Sequence, residues 1–401
     1  MSKLERRAYV HAIATRYAVA GRAQKSLMLD EYCATTKVGR KYAIRQLGRA
    51  IKALADAAAG VVHTPRPCSG RRSLYAADAE LFQALRLIWE GAKRPCSKRL
   101  VALLPNWLPH YEAEYAVRLS RKTRRLFKRI SASSIDRLLA STRKGIKETL
   151  HALSGTTPAT EWLRALVPLR THHHFVDRPG SFEGDTVSHC GSAIAGEYFW
   201  TLTATDRNEG WTECAAVWHK KSVGIKAALI GIEARLPFAM TSFDSDNGTE
   251  FINYTLQQHF ANHRPPIAFT RSRPYEKNDQ AYVEQKNGSV VRPFLGYQRL
   301  ENPALDAPLN AFFAGCWRDY VNGFLPTLKL LRKEMVGSKT RRIYEPKAQT
   351  PYSRVMTSKH VSSKAKAALR LHYQTLNPFQ LKREIDDTLR QIMTNARCTD
   401  L

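Results

Sequence analysis

An α/β core preceded by basic all-α segments is the fold class that the sequence predicts, and three observations predict it. Apolar and polar residues alternate with period two in three successive segments from residue 181 onward, the signature of half-buried strands. Beyond them, segments with helical spacing alternate with short apolar runs. Before residue 150 the spacing is helical and rich in Lys and Arg.

Residues 1–60 read as short helices. Leu27, Leu29, Tyr32 and Cys33 precede a break at Thr35–Gly39, and a second helix follows with Tyr42 or Ala43, Leu47 and Ala50 on its packing face. Arg40, Lys41, Arg45 and Arg49 fall largely elsewhere on that helix, available to phosphates or base edges. This is the layout of a helix-turn-helix with a recognition helix; a solvated basic face on a bundle helix is the alternative. Residues 61–73 mix Pro, Gly, Ser and Arg, a linker composition. Helices near 77–92 and 96–108 lead into a second helix-turn-helix pattern, where Ser131 or Ser133 caps a helix bearing Ile135, Leu138 and Leu139. Arg121, Lys122, Arg124, Arg125, Lys128 and Arg129 precede that helix as a phosphate-contacting cluster.

Charge agrees with such a partner. The 401 residues carry 63 Lys and Arg against 35 Asp and Glu, a formal charge of +28, and the first 150 residues hold 31 of the basic but only 11 of the acidic side chains. Such an excess repels itself unless a polyanion is bound, and double-stranded DNA is the polyanion expected. No apolar run is long enough to cross a membrane, and the start MSKLERRAYV has no apolar segment after its charges, so a cytoplasmic protein is expected. The seven cysteines are scattered without a CxxC pair and are expected to be reduced, packed thiols. His172, His173 and His174 are adjacent in a connector over 151–175, and adjacent side chains diverge too much to share one ion.

The catalytic region is expected over residues 176–325. SFEGDTVSH, EYFWTLTAT and GWTECAAVW read as strands, 221–235 as a helix, FAMTSFD as a buried strand, GTEFINYTLQQHFA as a helix, IAFT as a short strand and NDQAYVEQKNGSVVRPFL as a longer helix. The order βββαβαβα is that of the ribonuclease-H-like fold, in which ligands sit beyond the ends of central strands. Asp185 falls in the first strand, Asp246 just past the fourth and Glu284 on the last helix, so the three carboxylates converge. Ionised together they require cations. Phosphodiester cleavage and joining are served by two divalent ions about 3.5–4 Å apart, and oxygen ligands select Mg²⁺ or Mn²⁺. Asp206, Asp244, Glu250 and Glu276 are the rival carboxylates, read as structural, with Glu250 facing a different helix.

The segment FDSDNGTEF resembles the Asp-Asn-Gly signature of retroviral integrases and of DDE transposases of bacterial insertion sequences. Between Asp246 and Glu284 lie 37 residues, close to the interval characteristic of that superfamily, and TRSRPYEKNDQAYVEQKN is similar to its third motif. EGDTVSHCG resembles the first, and the likeness runs on through GWTE and VRPFLGYQR. The resemblance implies that Asp185 bridges two metal ions, with Asp246 and Glu284 each completing one site. It implies further that Asn247 and Gly248 shape a tight turn, with the glycine admitting DNA closely, and that Arg271, Arg273, Lys277, Asn287 and Arg292 face DNA. The sequence departs from its relatives at Val291, where many carry a cation seven residues after the glutamate, and it lacks the His/Cys zinc module of retroviral integrases. Residues 326–401, with the Thr350-Pro351-Tyr352 element and a helix near 378–395, are expected to bind DNA or bridge subunits. The function implied is metal-dependent strand cleavage and 3′-hydroxyl strand transfer of a mobile element's terminal repeats into target DNA by a homodimer or larger assembly. The alternatives are an inactive relative that regulates DNA and a ribonuclease-H-type nuclease.

Overall fold

The computed structural model describes residues 3–59, 74–144, 167–169, 178–272, 283, 286–336 and 339–396, which belong to two units, 1–72 and 73–401. The linker at 61–73, the three adjacent histidines, Arg273, Lys277 and Glu284 lie outside the described residues.

In the first unit, helices α1 (Lys3–Val19), α2 (Arg22–Thr36) and α3 (Arg40–Ala58) enclose Val10, Ile13, Ala14, Met28, Leu29, Tyr32, Ala43, Leu47 and Ala50. The break between α2 and α3 is made by Lys37, whose left-handed backbone (φ 55°) returns its N–H to the Cys33 carbonyl and ends the helix. Of the two packing registers open for α3, the buried one uses Ala43, and Tyr42 is exposed. Lys41, Arg45 and Arg49, spaced by four residues, consequently share one solvent-facing side. Arg40 is ion-paired to Asp30 and also reaches Ser26.

In the second unit, α4 (Ala79–Gly91) is capped by Asp78, whose side chain accepts from the Leu81 N–H at 3.0 Å. Its stripe Leu81, Ala84, Leu85, Ile88 and Trp89 follows the i, i+3, i+4 spacing of a one-sided helix and is buried. After it come α5 (Ser97–Glu114), α6 (Arg121–Arg129), α7 (Ala132–Leu138) and α8 (Ala140–Lys144), with Ser120 capping α6 and Ser131 capping α7.

The sheet is built of β1 (Ser181–Ser188), β2 (Phe199–Asp206), β3 (Thr212–Trp218), β4 (Ser242–Ser245) and β5 (Ala268–Arg271), in the order β3-β2-β1-β4-β5. β1, β2 and β3 form an antiparallel meander; β4 and β5 continue it parallel to β1. Two helices interleave with these last strands, α9 (Ser222–Ala234) and α10 (Tyr254–Asn262). The element order expected from the periodicity is therefore present as far as β5, and residues 283 and 286–295 are helical beyond it. One expectation is corrected: α10 starts at Tyr254 rather than 248, because Asn253 caps it by accepting the Leu256 N–H.

Strand alternation gives the sheet two faces. Phe182, Leu202, Ala204, Ala215, Val217 and Phe243 pack on Ile225, Leu229 and Ile232 of α9 and Leu256 and Phe260 of α10. Gly184 is on this face, and a Cβ there would lie 2.1 Å from the Phe243 ring, so the glycine leaves room for a neighbouring strand's aromatic side chain. Val187, Phe199, Cys214 and Ala216 on the other face belong to a larger core with the C-terminal helices: α11 (Arg292–Leu295, after a π turn Asn287–Val291), α12 (Asp306–Phe312) and α13 (Arg318–Phe324, after a π turn Phe313–Trp317). A hairpin, β6 (Leu330–Val336) and β7 (Lys339–Tyr344), precedes α14 (Pro351–Thr357), α15 (Ser363–Gln374) and α16 (Pro378–Thr394).

That larger core also takes in α4 and α5. The Trp107 and Phe379 rings meet edge to face at 5.0 Å, the Trp107 indole donates to the Phe324 carbonyl at 3.2 Å, and the Tyr320 hydroxyl donates to the Gly91 carbonyl. Helices far apart in sequence thus share one interior.

Two polar devices fix the sheet to these helices. Glu213 on β3, fully buried, accepts from Arg235 Nε through Oε2 (2.7 Å) and from Arg318 Nε (2.7 Å) and the Trp211 indole (2.9 Å) through Oε1. The outward-facing backbone of edge strand β3 is met by side chains: the Asn322 amide bonds both the N–H and carbonyl of Thr212, Arg235 donates to the Cys214 carbonyl, and the Asn310 amide bonds both groups of Ala216. Buried polar groups without such partners would be costly.

Among the described residues the cysteines depart from expectation at one position, and Cys68 and Cys398 lie outside the described residues. Cys190, Cys214 and Cys316 are buried free thiols, whereas Cys96 is exposed where it begins α5.

Candidate active site

The parallel pairing of β1 with β4 sets Glu183 opposite Asp244 and Gly184 opposite Ser245. One step further along each strand are Asp185 and Asp246, so the two carboxylates leave neighbouring strands at one level. Period-two alternation puts Glu183 and Asp185 on the same face of β1.

Each carboxylate is held by the chain around it. Asp185 Oδ1 accepts from the Thr186 N–H at 2.7 Å, and Oδ2 accepts from the Asn287 side-chain amide at 2.7 Å. Asp246 Oδ1 accepts from the Gly248 N–H at 2.9 Å, closing the turn after β4. Among the described residues no ion pair reaches Asp246. Burial first, and the charge of Glu250 second, push it up to about 6.

The described residues flanking Glu284 are anchored on β1 and on the β2–β3 turn. The Val283 N–H donates to Glu183 Oε2 at 3.2 Å, the Lys286 ammonium donates to the Gly210 carbonyl in the β2–β3 turn at 3.2 Å, and Asn287 holds Asp185. Lys286 is buried, and that burial, then Arg354 and Arg99, lower it to about 7. Two of these three contacts reach β1, and the third reaches the β2–β3 turn.

Beneath Asp185 and Asp246 is a second, fully internal tier. Glu183 is ion-paired to Arg207 at 3.2 Å, and Asp244 accepts from the Thr270 hydroxyl at 2.7 Å. Asp206 accepts backbone N–H groups of Gly180, Asn208 and Glu209, and burial pushes it up to about 7. These acids have structural partners, as the sequence reading held for Asp206 and Asp244.

Glu250 differs from that reading. It lies on the turn between β4 and α10, not on a helix facing elsewhere. Its buried carboxylate is 2.6 Å from the Lys220 ammonium and 3.3 Å from the Thr186 hydroxyl, next to Asp185. A Cβ at position 248 would meet Glu250 Oε2 at 2.3 Å, so the glycine of the Asp-Asn-Gly turn makes room for this carboxylate. The sequence reading weighed Glu250 only as a rival carboxylate with a structural role, on its closeness in sequence to Asp246, and it missed Lys220.

The basic residues expected at DNA are placed unevenly. Arg121, Lys122 and Arg125 are exposed on α6, Lys122 being 3.6 Å from Asp78, and Arg124 is clamped by both oxygens of Glu112 at 2.6 and 2.9 Å. Arg271 braces the Asp246 turn by donating to Asn247 Oδ1 at 3.0 Å and to the Val167 carbonyl at 2.8 Å. Arg292 donates to the Ser188 and Gly296 carbonyls and stacks on Tyr297 at 4.7 Å.

The site fits hard divalent cations. Asp246 is a half-buried carboxylate that burial and Glu250 push up despite the Lys220 charge, and Asn287 Oδ1 is a buried oxygen with no hydrogen-bond partner among the described residues. Among the described residues there is no group of three or more His, Cys, Asp or Glu side chains ready to hold a metal ion. No helix of the described residues is long and apolar enough to cross a membrane.

No protein-family model matches the chain. It is 35% identical to the uncharacterized protein y4rM of Sinorhizobium fredii over 347 residues, 86% of this chain and 94% of that protein. Among solved structures it is similar to the catalytic core domain of BIV integrase, at 16% identity and TM-score 0.30, covering 45% of this chain and 96% of that one. The HTLV-2 integrase catalytic core in complex with magnesium matches at 17% identity and TM-score 0.28, covering 37% of this chain and 90% of that one. A simian T-cell lymphotropic virus intasome in complex with PP2A regulatory subunit B56 gamma matches at 14% identity and TM-score 0.27, covering 57% and 70%.

Proposed function

The chain belongs to one family with the uncharacterized protein y4rM, a relative whose name carries no activity, and from the chain's own site we propose that it is a DDE-type transposase that cuts DNA at a mobile element's terminal repeats and joins the freed 3′-hydroxyl to target DNA. One observation carries the reading: Asp185 and Asp246 leave adjacent parallel strands in register, and residues either side of Glu284 are hydrogen-bonded to the Asp185 strand.

Asp185, Asp246 and Glu284 would hold two Mg²⁺ or Mn²⁺ ions, which when bound supply charge neutralisation at the scissile phosphate and activation of the attacking oxygen. The chain's own groups preorganise this. Asn287 and the Thr186 N–H fix the two oxygens of Asp185, the Gly248 N–H orients Asp246, and Arg271 through Asn247 stiffens the turn between them. Lys41, Arg45 and Arg49 on α3 and Arg121, Lys122 and Arg125 on α6 are exposed cations for phosphate contacts, with Arg273 and Lys277 expected near the reacting strand. Two element ends must be held together, so a dimer or larger assembly on DNA is part of the proposal.

The test is incubation of the full chain with its element's terminal-repeat duplexes, a target duplex and Mg²⁺. Joined strands are the expected product; cut strands never joined would indicate a nuclease, and binding without cutting a regulator.

Affinity for the cation should also depend on pH. Asp246 in the folded chain is raised from 3.8 to about 6, so below that pH it keeps a proton that a cation must displace. Mn²⁺ affinity measured by calorimetry is expected to be level above about pH 7 and to fall by roughly tenfold per unit below pH 6. A flat profile down to pH 5 would exclude Asp246 as a ligand.

A further inference from the structure

Four observations meet at the rim of the sheet, on the side of β1 away from Asp185. The Glu250 carboxylate is buried, with 2% of the residue exposed. Its Oε1 takes both the Lys220 ammonium and the Thr186 hydroxyl. It fills the space over Gly248, whose N–H holds Asp246. Lys220 reaches it from the end of β3 across the sheet, its ammonium 4.5 Å above the Trp200 ring on β2.

Glu250 therefore touches both carboxylate-bearing segments, Thr186 beside Asp185 and the turn that orients Asp246. A buried carboxylate in that place without a counter-charge would repel Asp246 and compete with it for cations; with Lys220 it is a neutral unit that fixes two backbones. Trp200 confines the lysine ammonium by cation–π attraction.

We propose that Lys220 and Glu250 are a positioning pair for the candidate active site, in which the lysine acts as a resident counter-ion that keeps Glu250 out of cation binding while Glu250 sets the spacing of the Asp185 and Asp246 segments. This rests on the reading that Asp185 and Asp246 hold the cations. Neither residue touches the reacting groups; each works through the chain next to a carboxylate.

The pair predicts electrostatic effects of opposite sign. Glu250→Gln leaves an uncompensated lysine charge, and Mn²⁺ should bind the full chain about tenfold more weakly at pH 8. Lys220→Met leaves an uncompensated carboxylate, and Mn²⁺ should bind about tenfold more tightly while strand transfer slows, because the Asp246 turn is no longer held. The double variant Lys220→Met/Glu250→Gln should return to within about threefold of the parent affinity, and Lys220→Arg should resemble the parent. A role in packing alone would move both single variants in the same direction.

Mn²⁺ binding followed by electron paramagnetic resonance of the free ion, with thermal melts to confirm folding, reads all of these without any turnover. Shifts of one sign, an unchanged Lys220→Met variant, or a double variant no closer to the parent than the singles would overturn the pair while leaving the metal site standing. Asp246→Asn is the control: if it binds Mn²⁺ like the parent, the metal-site reading fails and the pair falls with it. Should Lys220→Met not fold, the double variant against Glu250→Gln alone decides, since restoration requires that the lysine charge itself caused the loss.

Discussion

Asp246→Asn should slow strand transfer by on the order of a thousandfold, roughly 4 kcal/mol of transition-state stabilisation, and leave DNA binding within a few-fold of the parent. The amide keeps the volume and can still accept from Gly248, but it supplies neither the charge nor the second oxygen that a cation needs. Asp185→Asn should be as damaging, because its two oxygens already serve the Thr186 N–H and the Asn287 amide and only a carboxylate has lone pairs left to bridge ions. Glu284→Gln belongs to the same series. Because the three are proposed to act as a unit, the triple variant should be scarcely slower than any single one. Joining assays with Mg²⁺ and gel-shift binding, run side by side, check this; joining that persists at the parent rate in any of the three would remove that residue from the site.

Glu213→Ala is expected to cost about 3–5 kcal/mol of stability, seen as a fall in melting temperature on the order of 10 °C. The carboxylate is fully buried and both its oxygens are used, so its removal strands the guanidinium groups of Arg235 and Arg318 together with the Trp211 indole. Those partners come from the residue before β3, from the residue just past α9 and from the start of α13, so the loss loosens the sheet from helices on both sides. Glu213→Gln keeps the shape and one acceptor and should fall between the two. Calorimetric melts of the three proteins decide it, and a change under about 1 kcal/mol would mean that water or relaxation replaces the network.

Much of the sheet was legible because its signals are local. Period-two alternation marked β1, β2 and β3, and the Asp-Asn-Gly turn announced Asp246. The contacts that sequence could not give are those in which two local signals meet. A stripe such as Leu81, Leu85 and Ile88 says that a face of α4 is buried but not that α16 and α13 are what share its core. A basic cluster is visible as composition, yet Arg124 is neutralised by Glu112 from another helix. Glu250 looked like a helix residue because the pattern around it is helical; Asn253 delays the helix, and the intervening turn swings the carboxylate toward Thr186. Lys220 carries no motif at all, and only the arrangement β3-β2-β1-β4 brings it across the sheet.

A row of unsatisfied peptide groups on a margin strand invites any extended chain to dock and lengthen the sheet. On β3 that invitation is withdrawn at Thr212, Cys214 and Ala216, where two asparagine amides and one guanidinium imitate the missing neighbour. In the proposed assembly on a DNA end, copies of this protein would thereby be steered away from zippering backbone to backbone at that margin, and any meeting there would fall to side chains, whose chemistry can distinguish a proper partner from a misplaced one.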